Sequence, residues 1–291
     1  MDGRLVPWAD AKIHVLTHSL HYGSAVFEGI RFYQTDRGPA IFRLQEHVDR
    51  LFFSAETMYM KIPFSKEDIS AAIISTVKEN AVQAGYIRPL IYYGYGKMGL
   101  GVADAPVNVS IAVWPWGAYL GEKPVRIKTS SLARISSNSF HVAAKVSGHY
   151  VNSILAGEEA KRAGYDEALL LDGSGKIAEG PGENLFICKD GMLLTPELGS
   201  ILPGITRSSI IDLAKAQGLN ITEKPLTLED AYAADEAFYT GTAAEVTAIA
   251  SIDDHLLLQA PGEITQKIKS AFSNIVSGKD ADFQHWLTFI D

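Results

Sequence analysis

The segment Trp114-Pro115-Trp116-Gly117-Ala118-Tyr119-Leu120-Gly121-Glu122-Lys123-Pro124 carries neither the strand nor the helix period of apolar residues, because Pro115, Gly117, Gly121 and Pro124 interrupt both. It divides a chain of 291 residues, longer than a single hydrophobic core usually grows. Two domains are therefore expected: a small one over 1–119, a linker over 120–130, and a larger one over 131–291.

Before that break, Val48, Leu51, Phe52, Ala55 and Tyr59 are spaced to line one face of a helix. Ser65 and Asp68 stand in capping-box spacing and open a second helix, which presents Ile69, Ile73 and Val77 on one side and is expected to run to Ala84, with Gly85 as its stop. Ile87–Gly94 and Val107–Trp114 read as strands. After the break come strand-like Val125–Thr129, a helix over Asn152–Gly164, and short strands at Glu167–Asp172, Asn184–Cys188 and Met192–Pro196, separated by glycine-containing turns. Two further helices, Ile205–Gly218 and Ile264–Gly278, interrupt this strand-rich half. There is no internal repeat and no low-complexity tract. The fold class is α/β in the mixed sense.

The 26 basic and 34 acidic residues give a formal charge of -8 with no basic run, so the chain lacks the electrostatic footprint of a nucleic-acid or anionic-membrane binder. No apolar stretch approaches the ~20 residues that span a bilayer, and the N-terminus lacks the basic-then-apolar pattern of a signal peptide. A cytoplasmic protein with small-molecule partners is expected. Cys188 is the sole cysteine, which excludes an intrachain disulfide and a thiolate metal site, and its place in the run Leu-Phe-Ile-Cys reads as a buried structural thiol.

Two patterns invite functional readings that their context opposes. Gly94, Gly96 and Gly99 match the G-x-G-x-x-G spacing of a dinucleotide site and follow a strand, but a proline and a β-type run stand where the phosphate-binding helix should start. A flexible active-site loop fits better than a nicotinamide site. His14, His18 and His21 include one i, i+4 pair, yet the flanks read as strand and turn, and neither Asp10 nor Glu28 completes a ligand set. Structural or surface histidines are expected, and no metal.

Lys145 lies in Ser-Phe-His-Val-Ala-Ala-Lys-Val-Ser-Gly-His-Tyr, a single lysine amid small and apolar residues, surroundings that lower an amine pKa and favour Schiff-base chemistry. A lysine snorkelling from an apolar face is the alternative. Downstream, Glu179 and Glu183 flank Gly-Pro-Gly ahead of an apolar strand, so a carboxylate is held on a tight turn where it can pair with a pyridinium nitrogen. Thr206 at a helix start and Thr242 on a glycine-bounded turn supply hydroxyl and N–H groups suited to a phosphate.

In this order, Lys145-x-x-Gly-x-Tyr150-x-x-Ser, Ala-Glu179-Gly-x-Gly-Glu-Asn-Leu-Phe, Leu-Pro-Gly-Ile205-Thr206-Arg and Gly-Thr242-Ala243-Ala-Glu resemble the signature of class IV aminotransferases. In the first half, residues 18–33, 46–51, 85–94 and 116–121 resemble the branched-chain amino acid aminotransferases of that class. The resemblance implies the two-domain fold type IV, with a small N-terminal α/β domain, a larger C-terminal pseudobarrel domain, and pyridoxal 5'-phosphate at their interface. It also implies transfer of the amino group between leucine, isoleucine or valine and 2-oxoglutarate, in branched-chain amino acid biosynthesis. A D-amino acid aminotransferase or an aminodeoxychorismate lyase would use the same lysine and glutamate, and Gly85–Leu90 with Trp116–Gly121 favours the branched-chain group.

Carried over residue by residue, the resemblance makes Lys145 the Schiff-base lysine and proton shuttle, Glu179 the partner of the pyridine nitrogen, and Tyr150 the hydrogen-bond partner of the ring hydroxyl. Arg50, Ile205, Thr206 and Thr242 would hold the phosphate, with a helix-surface ion pair to Glu46 as the alternative role of Arg50. Tyr86, Thr242 and Ala243 would bind the substrate carboxylate, and Phe27, Trp116 and Tyr150 would line the side-chain pocket. Tyr22 and Val102 are expected from a neighbouring subunit, so the resemblance implies at least a dimer, with a hexamer as a further option. Arg88 would receive the γ-carboxylate of glutamate, the alternative being an arginine paired structurally with Glu or Asp. His149 departs from the pattern, since many members carry Asn before the tyrosine.

Overall fold

The computed structural model describes residues 1–117, 119–121 and 123–290. Ala118 of the 116–121 motif and Glu122 of the expected linker lie outside the described residues. The strands are β1 (Ala25–Phe27), β2 (Ile30–Thr35), β3 (Gly38–Phe42), β4 (Gly85–Tyr93), β5 (Val107–Trp114), β6 (Val125–Thr129) and β7 (Glu167–Leu169). They continue with β8 (Asn184–Lys189), β9 (Met192–Thr195), β10 (Ile221–Glu223), β11 (Glu236–Gly241), β12 (Glu245–Ile252), β13 (His255–Leu256) and β14 (Leu287–Phe289). The helices are α1 (His18–Tyr22), α2 (Leu44–Thr57), α3 (Lys66–Asn80), α4 (Tyr150–Arg162), α5 (Ile205–Ala216), α6 (Leu228–Tyr232) and α7 (Glu263–Val276).

Two compact units result. The first holds Met1–Gly117, Ala144–His149 and Val276–Asp291; the second holds Ala118–Ala143 and Tyr150–Ile275. A single linear division at 120–130 assigns 144–149 and 276–291 to the second domain, whereas their contacts assign them to the first. Val146 bridges Val26, the Phe27 amide donates to the Lys145 carbonyl at 3.1 Å, and β14 pairs antiparallel with β3. Such pairings are set by register, which chain position does not disclose.

In the first unit, a six-stranded sheet runs β1-β4-β2-β3-β14, with β5 on the other side of β4. Helices α2 and α3 cover it through Val48, Leu51, Ala55, Ile69, Ile73 and Val77, which join Val26, Ile30, Phe32, Ile87 and Ile91 in one core. The Ser65–Asp68 capping box forms as expected, but α3 ends at Asn80, with Ala81 in the left-handed region. Gly85 is not its stop. A side chain there would sit 2.5 Å from the Trp114 carbonyl and against Phe32, so this glycine answers to sheet packing.

The second unit is an eight-stranded sheet, β10-β9-β8-β11-β12-β6-β7, with β13 on β12. Its core includes Ile127, Leu169, Leu185, Ile187, Tyr239 and Ile249. Strand β8 is buried at all but its last residue, which is why its sequence reads as a continuous apolar run. Cys188 within it is buried, and that burial, with Glu236 nearby, pushes its thiol up to about 11. Among the described residues no helix is long and apolar enough to cross a membrane, and no cluster of His, Cys, Asp or Glu could hold a metal ion.

Candidate active site

In the first unit several of the sequence-predicted side chains gather around the end of β1. Helix α2 turns His47, Arg50 and Ser54 onto one face, as their i, i+3, i+7 spacing requires. Ser54 accepts the Lys145 amide at 2.9 Å and so fixes the backbone of that lysine. The Lys145 amine lies 4.9 Å from the centre of the Phe27 ring, and the Arg88 guanidinium carbon lies 4.7 Å from the same centre. As a residue Lys145 is half-buried. Burial of its amine, reinforced by the Arg50 charge and opposed by Glu28, brings its pKa down to about 8. The neutral amine is thereby within reach near physiological pH.

Glu28 is fully buried, between β1 and β2. One of its oxygens accepts Arg50 Nε at 2.7 Å; the other accepts Arg50 Nη2 at 2.8 Å and His47 Nδ1 at 2.7 Å. Burial by itself would raise the Glu28 pKa. The Arg50 charge and the hydrogen bonds from Arg50 and His47 win, and hold it well below the usual carboxylate range. Burial lowers the pKa of His47 despite the carboxylate beside it, so a neutral ring donates through Nδ1 to an acceptor that has no hydrogen to give. The expected alternative for Arg50, a pair with Glu46, is not formed. Glu46 pairs instead with Arg43 at 2.5 Å.

Tyr86 is buried on β4, its ring 4.6 Å from Trp116 and 5.3 Å from Trp114. Arg88, two residues along the strand and thus on the same face, donates to the Tyr86 hydroxyl at 3.5 Å. Its Nε is buried and has no hydrogen-bond partner among the described residues, and no carboxylate pairs with its guanidinium there. The structural role weighed for Arg88 is therefore not met. Tyr22 ends α1, and Val102 lies on the β4–β5 loop, packed at the edge of the first core.

In the second unit, Glu179 stands on the turn before β8 and is buried. Arg134 Nε donates to one of its oxygens at 2.6 Å, and Asn184 Nδ2 and the Leu202 amide donate to the other at 3.1 and 3.0 Å. Every one of these partners stabilises the ionised form. Glu183, also buried, accepts the Gly182 amide at 2.9 Å. Asn184 donates to the Leu202 carbonyl as well, and a side chain at Gly204 would collide with its amide. The Glu179 turn is thus tied to the start of α5, where Ile205 and Thr206 open a helix with no side-chain cap. The first-turn amides there form a positive helix end. Thr242 and Ala243 form the β11–β12 turn, and Tyr150 begins α4.

Glu28, His47, Arg134 and Asn184 were not among the sequence-predicted site residues. His47 and Ser54 left a signal, polar residues at helical spacing on an otherwise apolar face, and Glu28 is a lone charge in an apolar run. Arg134 lies in an irregular segment and left none.

The family model for amino-transferase class IV matches residues 25–252. The chain belongs to the class IV aminotransferase family. It is 48% identical to the branched-chain-amino-acid aminotransferase of Pseudomonas aeruginosa, over 99% of this chain and 96% of that protein. The T.th. branched-chain amino acid aminotransferase complexed with N-(5'-phosphopyridoxyl)-L-glutamate has a TM-score of 0.96 and 44% identity, covering 100% of this chain and 97% of that one. The same enzyme complexed with 4-methylvaleric acid has a TM-score of 0.95 and 44% identity, over 98% and 96%.

Proposed function

We propose that this chain is a pyridoxal 5'-phosphate-dependent aminotransferase that moves the amino group between leucine, isoleucine or valine and 2-oxoglutarate. The observation that carries this reading is an amine titrating near 8 beside a guanidinium with a buried, unpaired Nε, both over the Phe27 ring. The first group serves Schiff-base chemistry, and the second serves an acidic side chain entering an otherwise aromatic pocket. The T.th. relative has been captured with both a glutamate adduct and an apolar acid, which supports one pocket for two kinds of side chain.

The residues fit the cofactor. The buried orphan Nη1 of Arg134 and the uncapped first turn of α5 are polar features that an anionic, hydrogen-bonding group would satisfy. When bound, pyridoxal 5'-phosphate supplies an electron sink for the carbanion formed at the substrate Cα. With it bound, Lys145 would take and return the Cα proton, and Glu179, which accepts from Arg134, Asn184 and the Leu202 amide, would pair with the ring nitrogen. Tyr150 would donate to the cofactor's ring hydroxyl. Arg50, Ile205, Thr206 and Thr242 would hold the phosphate, and Tyr86 with the Thr242 and Ala243 amides would orient the substrate carboxylate. Phe27, Trp116 and Tyr150 exclude water from the side-chain pocket, while Tyr22 and Val102 act from a neighbouring subunit of a homo-oligomer of at least two chains. The reaction, between water-soluble amino acids and 2-oxo acids, belongs to the cytoplasm.

Single-turnover half-reactions test this. Leucine and glutamate should each convert the yellow enzyme, and Arg88→Leu should weaken only the glutamate half-reaction, by roughly 2 to 4 kcal/mol for a lost charge-assisted contact. Equal losses would show that Arg88 binds the carboxylate common to both, and no conversion by leucine would end the branched-chain reading.

A further inference from the structure

The two sequence patterns set aside as a metal site and a dinucleotide site meet each other in the fold. His18 is buried, and its Nε2 lies 2.8 Å from the Gly99 carbonyl, 81 residues away. Its Nδ1 lies 2.6 Å from the Ser24 hydroxyl. A carbonyl only accepts, so Nε2 carries the hydrogen; the tautomer with its hydrogen there leaves Nδ1 to accept from the Ser24 hydroxyl. Ser24 thus selects the tautomer that can reach the loop. The ring is held in place by Tyr22, with centroids 4.5 Å apart, and by the edge of Tyr93 at 5.9 Å.

Gly99 is gripped from its other side as well. Its amide donates to the Tyr22 hydroxyl at 3.3 Å, and its φ of +90° is a conformation that a residue with a side chain rarely adopts. Elsewhere the loop is held by Val102 and Ala105 at the edge of the first core and by Tyr95 against His14, while around Gly99 itself Met98 and Leu100 are exposed and the Lys97–Asp104 pair is internal to the loop. The grip has a chemical consequence. With its oxygen accepting from Gly99, the Tyr22 hydroxyl is directed to use its own hydrogen elsewhere, as a donor.

We propose that His18 is a positioning residue that fixes Gly99 through its carbonyl, so that the Gly99 amide turns the Tyr22 hydroxyl into an oriented donor for the acidic side chain of glutamate or 2-oxoglutarate. This rests on the proposed reading of Tyr22 as a residue of the side-chain pocket. An apolar side chain has no acceptor for that hydrogen, so the latch favours the acidic substrate over leucine without touching either.

The test uses the holoenzyme and two readouts. His18→Phe keeps a ring against Tyr22 but has no donor. It should weaken apparent glutamate binding in the half-reaction about tenfold, the loss of one hydrogen bond, while leucine changes less than about threefold. Amide exchange across residues 95–105 should rise in parallel. His18→Gln, which can still donate to a carbonyl, should recover most of both effects, and the absorption of the bound cofactor should not change in either variant. Ser24→Ala, a milder change that releases the tautomer, should act in the same direction and serves if His18→Phe does not fold. Equal weakening of glutamate and leucine, or unchanged loop exchange, would overturn the proposal. An unmodified enzyme inactive with both substrates would instead overturn the function reading, and the exchange comparison would still decide whether His18 holds the loop.

Discussion

Each unit of this protein buries one glutamate against one arginine, Glu28 with Arg50 at 2.7 Å and Glu179 with Arg134 at 2.6 Å. In the first pair the carboxylate spends both oxygens on its own unit, on Arg50 and His47, and thereby fixes the orientation of the guanidinium. In the second the arginine, with Asn184 and the Leu202 amide, fixes the carboxylate. The same ion pair is thus used to aim a cation in one place and an anion in the other. Replacing a buried pair by apolar residues is often neutral or stabilising, so the presence of two such pairs points to orientation rather than stability as their use.

That contrast is open to measurement. Glu28→Gln leaves Arg50 buried without its counter-charge, and urea unfolding at pH 7 should lose about 3 to 5 kcal/mol. Glu28 is ionised in the fold below its ordinary value of 4.5, where the unfolded chain binds more protons. Its contribution is therefore complete above that pH, and the gap between wild type and variant should narrow as the pH falls below it. A stability loss under about 1 kcal/mol with activity abolished would break the comparison, because Glu28 would then act on the chemistry directly.

Glu179→Gln likewise strips a buried arginine of its counter-charge, so what sets it apart should be turnover, which should fall on the order of 10² to 10³-fold with the cofactor kept, the range for losing one preorganised electrostatic contact. If Glu179→Gln turned over normally with cofactor bound and Glu183→Gln did not, the aimed anion would be Glu183.

The smallest effect concerns Lys145. Capture of pyridoxal 5'-phosphate by the apoenzyme requires the neutral amine, so its rate should rise with pH, level off above about 8, and fall roughly tenfold per unit below. Glu28 opposes the lowering of this pKa, so in Glu28→Gln the midpoint should move down. A midpoint near the ordinary lysine value of 10.5 would show that the amine is not enclosed.

Much of the candidate site is legible in the sequence because the signals that propose it are local. Lys145 amid small apolar residues, Glu179 on a glycine turn, and Thr206 at a helix start are features of short windows of sequence. Arg50 could be named for the phosphate but not given its partner, since Glu46 lies one turn away along the same helix and Glu28 is reached only through the core. The role of Gly85 is hidden from the sequence for the same reason, its constraint being the Trp114 carbonyl on a neighbouring strand.

The sequence by itself determined helices α2, α3, α4, α5 and α7 and strands β4 to β9 to within a few residues, because period, caps and turn chemistry act over short distances. Only the tertiary structure decided that residues 144–149 and 276–291 belong with the first unit, that Arg50 faces Glu28, that Arg134 holds Glu179, and that His18 reaches Gly99. Each of these depends on strand register and on buried donors finding acceptors distant in the chain. The cost of leaving a buried polar group unpaired enforces such contacts, but it acts on whatever packing brings close, and no local pattern records that.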